Sequence, residues 1–386
     1  MKKIGIVTSA KELNYGAILQ AYALQTVTES LGYDVCLLWW SNQRNSHKDI
    51  RIKKIIAMFF RYLLHPAIVM QSVRTYKKSF EKNFSERSAD LFQRFEDNNL
   101  KIEYMNYNQM KKYASNDNCK ALIAGSDQIW NSYAVYVDSF YYLRFAEEEK
   151  RVAYAPSFGK ETIPQYNKSI MRKYISGFKR LSVREKNGNR IIKDLLGIDV
   201  PVVLDPTLLL TENKWRNIGT EVETPKEYVL IYFLDKPDDS CLRMIEDIVR
   251  SCRLPVLALP YRIWDSNIQN VTYVHAGPSE FITLIDKANI VLTDSFHGTV
   301  FSIIFQKRFY TFERQYGSNQ SQSSRLIDLF ELCGIEKVFI QKEMTLEEIL
   351  KISISADDYR DVHEIIDKQR TYSLNYLRKA LGCEDF

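Results

Sequence analysis

Ile290-Val291-Leu292-Thr293-Asp294-Ser295-Phe296-His297-Gly298-Thr299-Val300-Phe301-Ser302-Ile303-Ile304 carries the clearest fold signal in this chain. Residues 290–292 read as a short buried strand and 300–304 as a buried helix, with a polar turn between them. A strand that passes through such a turn into a helix is half of a parallel βαβ unit. His297 sits in that turn beside Gly298, which permits close approach of backbone or ligand. Of the five histidines (His47, His65, His275, His297, His363) it alone occupies such a place. In open α/β sheets ligands collect past the carboxyl ends of strands, where helix N-termini present free N–H groups.

The same alternation extends outward in both directions. Strand-like runs occur at residues 3–9, 35–40, 120–124, 151–155, 181–183 and 202–204, and a second series at 228–233, 256–259, 271–273, 290–292 and 308–312. Between the first two runs, Ala17, Ala21, Leu24, Thr28 and Leu31 recur three or four residues apart and form one helical face, which Gly32 closes. The polar stretch after Asp205-Pro206-Thr207 reads as a domain junction. The polar run 315–324 reads as a mobile loop, residues 325–332 as the start of a helix, and 361–381 as a long amphipathic helix. The expected fold class is α/β, with two Rossmann-like parallel-sheet domains facing a cleft. The expected boundaries are 1–210 with a basic helical insert at 44–115, then 211–355, then a C-terminal helix within 356–386.

Composition agrees. At ~100 to 200 residues per domain, 386 residues make two domains, each able to bury its own core. Hydrophobic residues at 45% and charged residues at 26% match folded globular usage and argue against disorder. The six cysteines (Cys36, Cys119, Cys241, Cys252, Cys333, Cys383) form no C-x-x-C pair, and no His is spaced to complete a zinc set. They read as reduced thiols of a cytoplasmic protein. The apolar runs at residues 4–7 and 55–70 are too short or too interrupted for a signal-peptide core or a membrane span.

The net charge of +5 is unevenly placed. Residues 44–82 carry ten Lys and Arg against Asp49 and Glu81, a net +8 that leaves the rest of the chain at −3. With Ile52, Ile55, Ile56, Phe59, Phe60, Leu63 and Leu64 interleaved, this segment is either a candidate for peripheral contact with an anionic membrane face or an ordinary solvated helical insert. No recognised nucleic-acid-binding motif accompanies it, so nucleic acid is not expected as a partner.

Absent motifs narrow the chemistry. The chain has no G-x-x-x-x-G-K-[ST], G-x-G-x-x-G, G-x-S-x-G, H-E-x-x-H or D-x-D, which removes P-loop ATPases, simple dehydrogenases, serine esterases and zincins. Besides the His297 turn, four others end predicted strands or open helices. Asn14-Tyr15-Gly16 reads either as an anion-approach turn or as a helix cap. Gly125-Ser126-Asp127-Gln128-Ile129-Trp130-Asn131 offers a carboxylate and an aromatic platform for a sugar, or a capped turn with a packed Trp. Ala155-Pro156-Ser157-Phe158-Gly159 reads as cleft lining or as a rigid turn. Arg184, in Ser182-Val183-Arg184-Glu185-Lys186, reads as a bidentate anion ligand or as half of a surface salt bridge.

As an ordered set these turns resemble the polysaccharide pyruvyl transferase family. The matching pieces are Asn14-Tyr15-Gly16-Ala17, residues 125–131, Tyr154 to Gly159, Ser182-Val183-Arg184-Glu185, Asp205-Pro206-Thr207-Leu208, residues 293–302 and Ser324-Arg325. The resemblance implies a fold similar to GT-B glycosyltransferases, and transfer of the pyruvyl group of phosphoenolpyruvate onto two hydroxyls of a sugar as a cyclic ketal. The acceptor it implies is a cell-surface polysaccharide or a lipid-linked precursor. One version of the family's His motif has Arg two residues before the His; here Ser295 stands there, which transfers the anion-binding task to Arg184 and Arg325. The site expected from the resemblance has His297 as general acid and Asp127 as general base, with Arg184, Arg325, Asn14, Gly16, Ser126, Ser157, Ser295 and Gly298 around the substrate. Neither a metal nor a cofactor is expected. Two other readings stand beside it: a nucleotide-sugar glycosyltransferase of the same architecture, and a non-catalytic glycan-binding or membrane-associated scaffold.

Overall fold

Ile4, Ile6 and Val7 are fully buried in strand β1 (Lys3–Val7), so both faces of the strand are covered, as in a parallel sheet with helices on each side. The computed structural model describes residues 1–9, 13–40, 56, 59–60, 62–64, 86–134, 136–260, 271–314, 323–341 and 343–382. Among them two sheets form, and every strand pair is parallel. The first has the order β3-β2-β1-β4-β5, with β2 at Asp34–Trp40, β3 at Ile102–Met105, β4 at Cys119–Ala124 and β5 at Arg151–Ala153. The second has the order β11-β10-β9-β6-β7-β8. Its strands are β6 (Val229–Tyr232), β7 (Val256–Ala258), β8 (Val271–Tyr273), β9 (Ile290–Thr293), β10 (Arg308–Phe312) and β11 (Phe339–Ile340).

The helices of the first lobe are α1 (Tyr15–Ser30), α2 (Glu86–Asn99), α3 (Tyr107–Ser115), α4 (Gln165–Ile175) and α5 (Lys186–Leu196). Those that follow are α6 (Glu212–Arg216), α7 (Asp239–Cys252), α8 (Pro278–Lys287), α9 (Phe296–Ile304), α10 (Ser324–Cys333), α11 (Leu346–Lys351) and α12 (Ala356–Leu381). Strand order explains where a site can form. In the first sheet the chain builds outward from β1 to β2 and β3, then returns to place β4 on the other side of β1. The second sheet repeats this with β6 and β9. Each reversal opens a crevice past the strand ends. The turns 125–131 and 293–297 stand at those two crevices.

The two lobes share one continuous hydrophobic core, and a second core lies on the other face of the first sheet. Tyr15 joins the lobes: its ring stacks on Phe281 with centroids 4.5 Å apart, and its hydroxyl donates to the Ala276 carbonyl at 3.0 Å. The terminal helix α12 returns to the first lobe, where Ser373 Oγ accepts from Leu204 N at 3.0 Å and the Tyr376 hydroxyl donates to Ala153 O at 3.0 Å.

Two expectations need correction, and one strand is an addition. The stretch 44–115 is not purely helical, because β3 within it forms the edge of the first sheet; its exposed Glu103 and Tyr104 conceal the strand pattern. The runs 181–183 and 202–204 meet only in an isolated parallel bridge, Val183 with Val202, and Arg180, just before the first run, makes another with Val152, rather than full strands. The two-residue strand β11 was not foreseen. Most of the basic stretch 44–82 and the loop 315–322 lie outside the described residues, as does Cys383; positions 56, 59, 60 and 62–64 are described and helical.

Candidate active site

Asp294 and Ser295 shape the turn that presents His297. The Asp294 carboxylate accepts from the backbone N–H groups of Leu234 at 2.6 Å and Asp235 at 3.0 Å, which ties the end of β9 to the loop after β6. Burial pushes this carboxyl up to about 6, against the pull of Arg314 and the two N–H donors. Ser295 caps α9 by accepting from Gly298 N at 3.3 Å. Gly298 lets α9 press onto the sheet, since a Cβ there would lie 2.5 Å from Thr293 Oγ1. Asp294 thus holds the backbone of the turn, and the carboxylate beside His297 comes from elsewhere.

That carboxylate is Asp205. Its Oδ2 lies 3.7 Å from His297 Nε2 and 2.6 Å from Arg184 Nη1, while its Oδ1 accepts from Thr207 N and Thr207 Oγ1 at 3.0 and 2.7 Å. Burial alone would raise the Asp205 carboxyl, but His297 and Arg184 outweigh it and hold the group well below the usual carboxylate range. The 3.7 Å separation exceeds hydrogen-bond reach, so the Arg184 contact is the firmer of the two. On its other side the His297 ring packs against α1, where a Cβ on Gly16 would fall 1.9 Å from His297 Nδ1. Gly16 is therefore a glycine because an imidazole from the other lobe occupies the space of its side chain.

Arg184 is buried among three carboxylates. Besides Asp205, Asp127 Oδ1 stands 3.7 Å from Nη2 and Glu185 Oε2 stands 3.9 Å from Nε. These carboxylates keep the guanidinium pKa above its ordinary value against the opposing effect of burial. Burial pushes the Glu185 carboxyl up, although Ser157 Oγ and Phe158 N donate to it at 2.9 and 3.1 Å. Phe296 stands between the two arginines: the Arg184 guanidinium lies 5.0 Å and that of Arg325 5.6 Å from its ring centroid. With its amide oriented to satisfy both groups, Gln128 Oε1 accepts from Arg325 Nη2 at 2.6 Å and Nη1 at 3.2 Å, across the lobes. Arg184, Asp205, Phe296 and Arg325 line a cavity of ≈ 420 Å³.

The expected residues therefore divide. His297, Arg184, Arg325, Asp127 and Ser126 come together around Asp205; Ser126 Oγ donates to Ala155 O at 2.8 Å and lies 3.5 Å from Asp205 Oδ2. Gly16 and Gly298 make room, and Asn14 caps α1 through a 3.2 Å bond from Ala17 N. Ser157 supports Glu185. His297 and Asp127 adjoin the cavity through Asp205 and Arg184 rather than standing on its wall. Trp130 is fully buried, stacked on Tyr142 at 5.4 Å, and is core rather than a sugar platform. Asp205, Glu185, Gln128 and Phe296 were not anticipated as site residues. The signals for Asp205 were its place directly after the apolar run 202–204 and its membership of the Asp205-Pro206-Thr207-Leu208 piece that resembles the family.

Most informative are the nitrogens left over. His297 Nε2, Arg184 Nε and Arg184 Nη2 are buried with no hydrogen-bond partner among the described residues. Buried donors in this state are costly unless something accepts from them. An oxyanion bound against Arg184, which lines the cavity, would do so for the guanidinium nitrogens. Among the described residues no group of three or more His, Cys, Asp or Glu is arranged to hold a metal ion.

The fold resembles solved two-domain nucleotide-sugar enzymes at very low identity. UDP-N-acetylglucosamine 2-epimerase from Rickettsia bellii matches with 10% identity and a TM-score of 0.51, covering 98% of each chain. Phytolacca americana UGT2, complexed with UDP-2fluoro-glucose and pterostilbene, matches with 9% identity and a TM-score of 0.52, covering 99% of this chain and 98% of its own. These matches establish the GT-B-like architecture and nothing about the reaction. No curated protein sequence matches the chain. A family model described as polysaccharide pyruvyl transferase matches residues 14–316, a span that includes α1, the 125–131 turn, Arg184, Asp205 and His297. On that match, which spans well over half of the sequence, the chain belongs to the polysaccharide pyruvyl transferase family.

Proposed function

We propose that this protein transfers the pyruvyl group of phosphoenolpyruvate onto two hydroxyls of a sugar, forming a cyclic ketal and releasing phosphate. The observation that carries this reading is the trio of buried nitrogens on His297 and Arg184 that make no hydrogen bond and meet carboxylates only at 3.7 to 3.9 Å, close to Arg325 on the other side of Phe296. Two guanidiniums and an imidazole suit a small molecule bearing a carboxylate and a phosphate. The acceptor on this reading is a cell-surface polysaccharide or its lipid-linked precursor, and the enzyme works in the cytoplasm.

The chemistry needs three things. A proton must reach the methylene carbon of the enol phosphate, which leaves C2 electrophilic. A sugar hydroxyl must lose its proton as its oxygen bonds to C2. The C2–O bond to phosphate must break as the second hydroxyl closes the ketal, its proton leaving with the phosphate as hydrogen phosphate. His297 Nε2 is the proton donor in this scheme, and Arg184 and Arg325 hold the anionic groups. Asp127, with its side chain 19% exposed beside Arg184, accepts the hydroxyl proton.

Incubation with phosphoenolpyruvate and a panel of glycans, followed by mass spectrometry and phosphate detection, tests the reading. Phosphate release together with a pyruvylated glycan is expected, and His297→Asn should slow it by about 10²- to 10⁴-fold. Near-normal turnover by His297→Asn would remove the acid role. Nucleotide release from an activated sugar, with phosphoenolpyruvate untouched, would establish the glycosyltransferase reading instead. Glycan binding without turnover of either donor would establish a scaffold.

A further inference from the structure

We propose that the terminal helix α12 supplies one wall of a subsite for a neutral pyranose ring in the cavity, with Tyr372 as the platform and Gln369 as the polar contact. The choice of a sugar as occupant rests on the pyruvyl-transfer reading. Gln369 and Tyr372 lie three residues apart on α12, so their side chains share a face, and both line the ≈ 420 Å³ cavity that Arg184, Asp205 and Arg325 also line. The helix is fixed in place by the first lobe and the segment after it. Besides the bonds of Ser373 and Tyr376, Arg370 Nε donates to Leu208 O at 2.8 Å, on the stretch that carries Asp205. Groups on a helix held this way are preorganised for a ligand.

Chemistry identifies the occupant. Tyr372 is 48% exposed, and among the described residues no other ring packs on it and neither its hydroxyl nor the Gln369 amide is hydrogen-bonded. A pyranose has an apolar C–H face, which lies on an aromatic ring, and a hydroxyl edge, which meets a side-chain amide that both donates and accepts. Asp328 on α10 adds a carboxylate to the same cavity; its Oδ2 accepts from Lys186 N at 2.7 Å. Lys186, the remaining cation of the lining, is paired with Glu331 at 2.7 Å. Neutral Gln369 and Tyr372 with acidic Asp328 offer nothing to a second anionic group such as a lipid diphosphate, and they suit a neutral polyol. The donor's carboxylate and phosphate take the two arginines. A cavity of this volume, within the ~300–1,000 Å³ of small-molecule sites, has space beyond so small a donor. The aromatic platform that buried Trp130 does not supply thus comes from α12.

Saturation-transfer NMR on the full chain tests the subsite without requiring turnover. The probes are the methyl pyranosides of glucose, galactose, mannose and N-acetylglucosamine, with uridine as a neutral nucleoside. Transfer to the ring protons of at least one glycoside is expected. It should fall by about tenfold in Tyr372→Ala and in Gln369→Ala and persist in Tyr372→Phe, which keeps the ring. The thermal transition of Tyr372→Ala should stay in place, because the side chain is exposed. Absence of transfer to every glycoside would overturn the proposal, as would equal transfer in wild type and Tyr372→Ala. Transfer to uridine alone, lost in Tyr372→Ala, would also overturn it and assign the ring to a nucleobase. Failure of the donor reading shows separately: phosphoenolpyruvate that yields no phosphate, with the glycoside pattern intact, would remove pyruvyl transfer and leave the sugar subsite supported.

Discussion

Replacing Gly16 by Ala tests the contact on which the two-lobed site depends. A Cβ at that position would sit 1.9 Å from His297 Nδ1 and 2.3 Å from Cγ, where ordinary contact begins near 3.4 Å. The ring must therefore retreat by about 1.5 Å, or α1 must tilt away from α9. Overpacking of this kind costs about 1–3 kcal/mol, and a displacement of ~1 Å at a reacting group lowers rates by about a hundredfold. The assay is a double-mutant cycle in urea with Gly16→Ala, His297→Ala and both together, beside phosphoenolpyruvate-dependent phosphate release. With the imidazole gone the clash is gone, and Ala in the first turn of α1 should then be neutral or stabilising by about 0.5–1 kcal/mol. A coupling of about 1–3 kcal/mol between the two positions is expected. If Gly16→Ala destabilised both backgrounds equally, the imidazole would not be what the glycine accommodates, and the cross-lobe placement of His297 would be refuted.

Two further outcomes follow from the same geometry. Arg325→Ala should raise the KM for phosphoenolpyruvate by about ten- to a hundredfold, the worth of a charge-assisted hydrogen bond, with stability little changed because the side chain is only partly buried; an unchanged KM would exclude it from the donor site. Asp294 makes stability depend on pH in a definite direction. Its native pKa of about 6 lies above the ordinary 3.8, so between about pH 4 and 6 the native state alone holds the proton. Stability should fall as the pH rises through that window, by about 3 kcal/mol in all. Asp294→Asn should flatten the fall, and parallel urea-stability curves for the two proteins from pH 4 to 6 would contradict the assignment.

Much of this arrangement is legible in the sequence because parallel strands buried on both faces read as short apolar runs, and their ends as polar turns. The runs at 290–292, 229–232 and 35–40 announce themselves this way, and Gly32, at a φ of +87°, closes α1 as its position suggests. Strand β3 does not, since an edge strand covered on few sides needs no continuous apolar run, and Glu103 breaks it. The site was half visible for a related reason. Turn positions show which residues stand at strand ends, so His297, Asp127 and Arg184 could be singled out. Their partners could not. Asp205 meets His297 across a sequence separation of 92 residues and Gly16 meets it across 281, and only the folded chain brings them together. Asn14, Ser157 and Ser295 were equally visible, but their observed hydrogen bonds go to backbone or to Glu185, which local spacing cannot distinguish from a bond to a ligand.

Ser295 clarifies how the cationic part of the site is built. An arginine at this position would arise on the same short turn as the histidine. Here the position is 2% exposed, its hydroxyl caps α9, and its carbonyl accepts from Thr299 Oγ1, so a long cation has neither room nor a path outward. The positive charge arrives instead from two separate segments, Arg184 after the 181–183 run and Arg325 on α10, one from each lobe. Phe296, the residue between Ser295 and His297, places them by offering its ring to both guanidiniums. Each arginine is further fixed by the first lobe, Arg184 by Asp205 and Arg325 by Gln128. Such preorganisation has an electrostatic consequence. Two guanidiniums face Asp127, Glu185 and Asp205, so before the imidazole is counted the cluster is already net negative, and an anionic donor adds to that charge. A compensating proton is most easily accepted where burial already favours the neutral form, which is Glu185, held in contact with Arg184 by Ser157. On the proposed reaction, binding of an anionic donor at Arg184 is therefore expected to draw a proton to Glu185; calorimetry of phosphoenolpyruvate binding in two buffers of different ionisation enthalpy checks it, and equal binding heats in both would refute it.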